Sequence, residues 1–213
     1  MKIHAYQEIF IDNAQALLGD AFDYAINIYK ISGEDFIKMF VVSDVSKKIE
    51  NGDPVIILGK SGIELLQEIV FETTGNKIPI KESNQLSRSK QYWIGFSIAY
   101  YQWYSNHKFS EIFEVLSYNE LERMYSTLHE ADISKFVDIV DARVQEFYPN
   151  TNLKRIRTNY GISQSELAKR SHVGLRSIQM YEQRKKDINK ASAETLYKIS
   201  KILGCKIEDL LEK

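Results

Sequence analysis

Residues 161–182 read GISQSELAKRSHVGLRSIQMYE, and this stretch decides the fold of the C-terminal part of the chain. Ser163 and Glu166 have the Ser-x-x-Glu spacing of a capping box, which predicts a helix over residues 164–170. A short turn follows, and a second helix is predicted over residues 175–183. The two predicted helices are short, and the turn between them is tight.

Three further helical elements flank this pair. Gly161 ends a helix predicted over residues 152–160, because glycine suits the left-handed position after a helix. Gly204 ends another, predicted over residues 192–203, and a final turn covers residues 207–211. Two short helices joined by a tight turn, within such a unit, are typical of a helix-turn-helix. The small and apolar residues that would pack the paired helices together are Leu167, Ala168, Val173, Ile178 and Tyr181.

A series of residues lies at the following spacing along this region: Gly161-Ile162-Ser163-Gln164-x-Glu166-Leu167-Ala168, Val173, Ile178-x-x-Tyr181-Glu182 and Glu194-Thr195-Leu196-x-x-Ile199-x-x-x-Leu203-Gly204. This order resembles the Cro/C1-type (XRE) helix-turn-helix family over nearly all of residues 153–211. The resemblance implies a five-helix, lambda-repressor-like domain at residues 151–213. It also implies that this domain binds double-stranded DNA, with the second helix of the pair in the major groove.

The same resemblance suggests which residues contact DNA. The second helix of the pair is called the recognition helix below. The candidate base contacts lie on or near its outward face and are Leu175, Arg176, Gln179 and Met180. Arg176 can bind guanine through two hydrogen bonds and Gln179 can pair with adenine, although Gln179 could equally face solvent. Leu175 and Met180 offer only apolar contact, for example to a thymine methyl group. The candidate phosphate contacts are Gln164, Ser177, Arg184, Lys185, Lys186 and Asn189.

Two positions depart from the family pattern. Gly174 stands where the family usually has Ser or Thr, so we expect a weaker cap on the recognition helix. Arg184 and Lys185 replace the glycine that often follows the Tyr-Glu pair. Tyr181 and Glu182 themselves are interpreted as structural residues that do not read bases.

Charge separates the two parts of the chain. Residues 151–213 contain 14 Lys and Arg against 7 Asp and Glu, a net charge of +7, whereas residues 1–150 carry −8. This asymmetry indicates a polyanion-binding module joined to a different kind of domain, although a basic solvated surface is the alternative. The junction is predicted at Tyr148-Pro149-Asn150-Thr151-Asn152, because proline disfavours helix before it and Asn and Thr are good caps.

The first 148 residues are predicted to form a second, mainly helical domain, so the whole chain is predicted to be all-α. Apolar residues recur at helical spacing near residues 10–25, 34–50, 61–74, 90–105, 110–116, 118–128 and 133–147, and residues 76–90 are predicted to form a polar loop. The segment Tyr92–Tyr104 holds both tryptophans and four tyrosines. It is interpreted as a central core helix, with an aromatic binding surface as the alternative.

The N-terminal half is similar to regions attached to Cro/C1-type domains in phage-like or toxin–antitoxin regulators. The similarity rests on Tyr92–Trp103 and on Leu128-His129-Glu130-Ala131-Asp132. It implies that residues 1–148 dimerise, receive a signal or bind a partner protein.

Several classes are disfavoured by composition and motif. A single cysteine excludes a disulfide scaffold, and no apolar run is long enough for a membrane span. The start of the sequence lacks the layout of a signal peptide, which predicts a cytoplasmic location. Gly59-Lys60-Ser61 lacks the earlier glycine of a P-loop, and His129, Glu130 and Asp132 do not share one helix face. No metal, cofactor or catalytic residue is therefore predicted.

The sequence thus predicts a sequence-specific DNA-binding transcription regulator, more specifically a repressor, that binds a near-palindromic operator as a homodimer. One alternative is an antitoxin that neutralises a toxin through its N-terminal half and regulates its own operon. Another is an enzyme whose N-terminal active site carries no recognisable motif.

Overall fold

A computed structural model of the protein describes residues 4–79, 88–148 and 150–212. Every regular element within these residues is helical, which confirms the prediction of an all-α protein. The chain divides into two compact units, Met1–Val144 and Gln145–Lys213. The division falls in the last turn of a helix, a few residues before the predicted junction, of which Pro149 lies outside the described residues.

The N-terminal unit is a helical bundle that begins with a 3₁₀ turn at Glu8–Phe10. Its helices are α1 (Ile11–Asp23), α2 (Gly33–Val42), α3 (Asp44–Glu50), α4 (Pro54–Ile57), α5 (Gly62–Thr74), α6 (Lys90–Ser105), α7 (Phe109–Val115), α8 (Tyr118–Leu128) and α9 (Ile133–Phe147). A π-helical segment, Tyr24–Ile28, continues α1. Of the loop predicted over residues 76–90, residues 80–87 lie outside the described part of the chain.

The sequence pattern missed one break in this bundle. Residues 34–50 show a continuous apolar stripe, but the structure contains two helices that separate at Ser43. Ser43 has extended backbone angles and its hydroxyl accepts a hydrogen bond from the Ser46 amide, at 3.3 Å. A residue that satisfies the free amides of a new helix in this way starts that helix, whatever the apolar spacing on either side.

The centre of the unit is the crossing of α1 and α6, the most extensive helix pair in the described residues. Gly95 of α6 lies against the backbone of α1, because a Cβ atom at this position would be 2.3 Å from the carbonyl oxygen of Leu18. Gly19 of α1 lies in turn against the Tyr92 ring. Two glycines therefore allow the two helices to approach closely.

Aromatic side chains of α6 pack against α8 and α9 and confirm α6 as a core helix. Tyr101 is fully buried, and its hydroxyl donates a hydrogen bond to Asp141 at 2.8 Å. Burial, together with the Asp141 contact, raises the pKa of Tyr101 well above its usual value. Trp93 packs edge-on against Phe136, with ring centroids 5.6 Å apart. The segment predicted as either core or binding surface is therefore mostly core.

The C-terminal unit contains the predicted helices with nearly the predicted bounds. They are α10 (Asn152–Tyr160), α11 (Gln164–Ser171), α12 (Leu175–Glu182) and α13 (Ala193–Leu203), with 3₁₀ turns at Ile188–Lys190 and Glu208–Leu210. Thr151, Ser163 and Ser192 cap the starts of α10, α11 and α13 through their hydroxyl groups. Gly161 and Gly204 end α10 and α13 in the left-handed conformation, as predicted.

We predict that Gly95→Ala destabilises the N-terminal unit. The added methyl group must displace the backbone of α1, and overpacking of this kind costs about 1–3 kcal/mol, more than the helix propensity of alanine returns. Trp93 and Trp103 both lie in this unit, so tryptophan fluorescence during urea unfolding follows its stability directly.

Ser97→Ala on the same helix is the matched control. The Ser97 hydroxyl is buried and has no hydrogen-bond partner among the described residues, so its removal should leave stability unchanged or raised. Equal unfolding midpoints for Gly95→Ala and the wild type would contradict the close crossing of α1 and α6.

Candidate nucleic-acid interface

The pair α11 and α12 is built from the residues that the sequence indicated. Ser163 accepts a hydrogen bond from the Glu166 amide at 3.1 Å and begins α11. The reciprocal half of the predicted capping box is not found among the described residues, because the Glu166 carboxylate faces Arg170 at 3.7 Å instead. His172 takes the left-handed conformation that turns the chain towards α12.

The recognition helix α12 has one buried and one outward face. Ile178 and Tyr181 are buried in the core of the unit together with Leu167 and Val173, as predicted, and Ala168 is packed against them. The N-cap position of α12 holds Gly174, so no side chain caps this helix. The buried face fixes the orientation of α12, which in turn determines the residues that face outward.

The four predicted base-contact residues come together on the outward side of α12. Leu175 and Arg176 are exposed, and Gln179 and Met180 are partly exposed one turn further along. Spacings of three and four residues align these side chains along one surface of the helix. Among the described residues, Arg176 has neither a salt bridge nor a hydrogen bond, so its guanidinium group is available to a ligand.

A buried ion pair lies behind α12. The Glu182 carboxylate accepts hydrogen bonds from Arg157 Nε at 2.6 Å and from Arg157 Nη2 at 2.9 Å. Nη1 of the same guanidinium group donates to the Ile162 carbonyl at 2.7 Å. The Glu182 side chain is 1% exposed and the Arg157 side chain 12%. The carboxylate raises the pKa of Arg157 further above its already high value. This pair connects α10 to the end of α12.

Gln164 belongs to the same network. Its side-chain nitrogen donates to Glu182 Oε2 at 2.7 Å, which holds the first residue of α11 in a fixed rotamer. The interpretation of Glu182 as a structural residue agrees with this burial. Sequence reasoning missed Arg157 altogether, because nothing in the local pattern distinguishes it from the exposed Lys154 and Arg155 of the same helix.

The remaining predicted phosphate contacts fall into two groups. Ser177 is partly exposed, whereas Lys185 and Lys186 are exposed, and the Lys186 ammonium group lies 5.2 Å from the centre of the Tyr181 ring. Arg184 and Asn189 instead make hydrogen bonds within the unit. The Arg184 guanidinium group contacts the Tyr148 carbonyl at 3.1 Å, and the Asn189 side chain pairs with the backbone of Glu212.

Residues 153–210 match a family model whose description is helix-turn-helix. The C-terminal unit is a helix-turn-helix domain of the Cro/C1 type. No curated protein and no solved structure matches the chain. The helix-turn-helix match indicates a DNA-binding transcription regulator.

The weaker motifs of the N-terminal half have structural explanations. Ser61 caps α5 in a reciprocal capping box with Glu64, and Lys60 forms a salt bridge with Glu68. His129 stacks on the Tyr125 ring, with centroids 4.5 Å apart. Within residues 4–79, 88–148 and 150–212, no cluster of three or more potential ligands could hold a metal ion. No helix of this part of the chain is long and apolar enough to cross a membrane.

We predict that Glu182→Ala strongly destabilises the helix-turn-helix domain. The substitution leaves the Arg157 guanidinium group buried without its counter-charge, and breaking a buried pair on one side costs about 3–5 kcal/mol. Amide hydrogen exchange of α10 to α13 in the full chain measures the loss.

The matched control is Glu194→Ala, which removes the exposed partner of Lys198 on α13. This pair is solvated, so its loss should leave the exchange rates almost unchanged. Similar effects of the two substitutions would show that the Arg157–Glu182 pair does not hold the domain together.

Proposed function

We propose that the protein is a sequence-specific repressor that places α12 in the major groove of double-stranded DNA. The observation that carries the proposal is the outward face of α12, where Arg176, which has no partner among the described residues, lies next to Gln179 on a helix fixed by the buried core. The major groove of B-form DNA is wide enough for an α-helix, and the exposed side chains of such a helix reach the base edges.

The proposed base contacts divide by chemistry. Arg176 supplies the planar donors that match the two acceptors of guanine, and Gln179 can both donate to and accept from adenine. Leu175, which is 37% exposed, and Met180 would contact thymine methyl groups. We assign sequence discrimination mainly to Arg176, because a bidentate contact distinguishes one base pair from the others.

The proposed phosphate contacts surround α12 and hold it in register. Gln164 lies at the N-terminus of α11, where free backbone amides favour an anion. Its contact with Glu182 supports the role, because the amide is already oriented before DNA arrives. Ser177, Lys185 and Lys186 would complete the backbone contacts on either side of the groove.

Dimeric binding follows from the size of one domain. One recognition helix reads only a few base pairs, so we propose a homodimer on a near-palindromic operator, with half-sites about one helical turn apart. The N-terminal unit, with its separate core, is proposed to dimerise, to receive an effector or to bind a partner protein. Repression then needs no cofactor, because occupancy of the operator by itself excludes other proteins.

We predict that Arg176→Ala loses discrimination at one base pair, at a cost of about 1–3 kcal/mol in operator binding. Arg176→Lys is the informative partner variant, because it keeps the charge but loses the planar pair of donors. Selection from a random DNA pool with the purified full chain identifies the operator, and the same selection with each variant measures specificity. An unchanged consensus for both variants would refute the assigned role of Arg176.

We predict that Lys185→Ala weakens binding to all sequences alike and lowers the slope of log Kd against log salt concentration by about one. The control is Lys201→Ala on α13, which removes an exposed charge from the same domain but from a helix outside the pair. Equal slopes for Lys185→Ala and the wild type would place Lys185 away from the DNA backbone.

A further inference from the structure

The loop after the recognition helix carries two exposed lysines. Among the described residues, Lys185 has neither a salt bridge nor a hydrogen bond from its side chain, and Lys186 only lies over the Tyr181 ring. Their backbone amides both turn back to the Met180 carbonyl, at 2.9 and 3.1 Å. The direction of these two charges therefore depends on the path of the loop backbone.

One end of this loop is strained. Arg184 adopts the left-handed conformation with φ of 54°, which glycine takes freely but which costs other residues about 1–2 kcal/mol. The guanidinium group of the same residue contacts the Tyr148 carbonyl at 3.1 Å and the Glu212 carboxylate at 3.5 Å. An unfavourable conformation persists where surrounding contacts hold it, and these contacts are of that kind.

Glu212 also holds the other end of the loop, at Asn189. The Asn189 side chain donates to the Glu212 carbonyl and accepts from the Glu212 amide, the latter at 2.9 Å. The Glu212 carboxylate also accepts a hydrogen bond from the Asn152 amide at 2.6 Å, at the start of α10. Glu212 therefore joins both ends of the loop to the first helix of the domain.

We propose that Glu212, Arg184 and Asn189 form a clasp that positions Lys185 and Lys186 on the DNA backbone. The inference rests on the proposed function, because it assigns the two lysines to phosphate groups. Asn189 is then a positioning residue, because both its side-chain nitrogen and its side-chain oxygen are already paired with the Glu212 backbone. Arg184 is also a positioning residue, because the adjacent carboxylate compensates its charge.

The clasp can be tested with Asn189→Ala in the full chain, using a mixed-sequence DNA duplex as the probe and measuring Kd over a range of salt concentrations. Release of the loop should lower the salt slope by about two, the contribution of two phosphate contacts. The decisive measurement repeats Asn189→Ala in the Lys185→Ala/Lys186→Ala background. If the clasp acts through the lysines, the substitution should cause no further loss there.

Arg184→Gly separates positioning from stability. Glycine relieves the left-handed backbone strain, so the thermal midpoint of the domain should not fall, whereas the salt slope should fall as in Asn189→Ala. Ser192→Ala, which removes the cap of α13, is the control for general destabilisation and should leave the slope unchanged. A purely structural role for the clasp would instead make affinity follow stability in all three variants, which would overturn the proposal.

The outcomes distinguish this inference from the proposed function. An additive loss for Asn189→Ala in the double-lysine background would mean that Asn189 contacts DNA itself, which overturns the clasp but not DNA binding. An unchanged slope for Asn189→Ala overturns the clasp as well. An unchanged slope for the double-lysine variant would instead refute the phosphate contacts on which the inference rests.

Discussion

The helix-turn-helix domain depends on one buried interaction, the ion pair between Arg157 and Glu182. A carboxylate that is 1% exposed is tolerated only where hydrogen bonds replace those of water, and Glu182 receives two from Arg157 and one from Gln164. Replacement of such a pair by apolar residues is often neutral in stability, so its main consequence is geometric. It fixes α10, the start of α11 and the end of α12 relative to one another.

The N-terminal unit is organised by a steric constraint instead. Gly19 and Gly95 let α1 and α6 approach so closely that any larger side chain at Gly95 would meet backbone atoms. The Trp93 and Tyr101 rings of α6 pack against α8 and α9, and the Tyr101 hydroxyl donates a hydrogen bond to Asp141. Close packing of this kind specifies one arrangement without a charged centre, because interiors tolerate little change in volume.

Local signals in the sequence were sufficient for most of the C-terminal domain. Thr151, Ser163 and Ser192 begin helices, and Gly161 and Gly204 end them, since caps act within a few residues along the chain. The same local reasoning cannot find interactions between distant residues. The bond between Arg157 and Glu182 spans 25 positions, and that between Asn189 and Glu212 spans 23.

The N-terminal helices were visible as apolar stripes, but their pairing was not. A stripe shows that a helix has a buried face and does not show which helix covers it. The crossing at Gly95 illustrates this limit. Glycine within a helix normally destabilises it, and the reason for Gly95 is seen only when the Leu18 backbone of α1 is found next to it. The break at Ser43 was missed for a related reason, since the apolar spacing continues across it.

The distribution of charge connects the buried ion pair to the outward face of α12. Residues 175–182 contain one acidic residue, Glu182, and its carboxylate points into the domain, where Arg157 compensates it. The outward side of the helix therefore presents Arg176 without a competing carboxylate from α12. An exposed glutamate on this helix would repel phosphate groups and weaken the attraction that brings the domain to DNA. The interaction that fixes the helices thus also leaves the outward face of α12 positively charged.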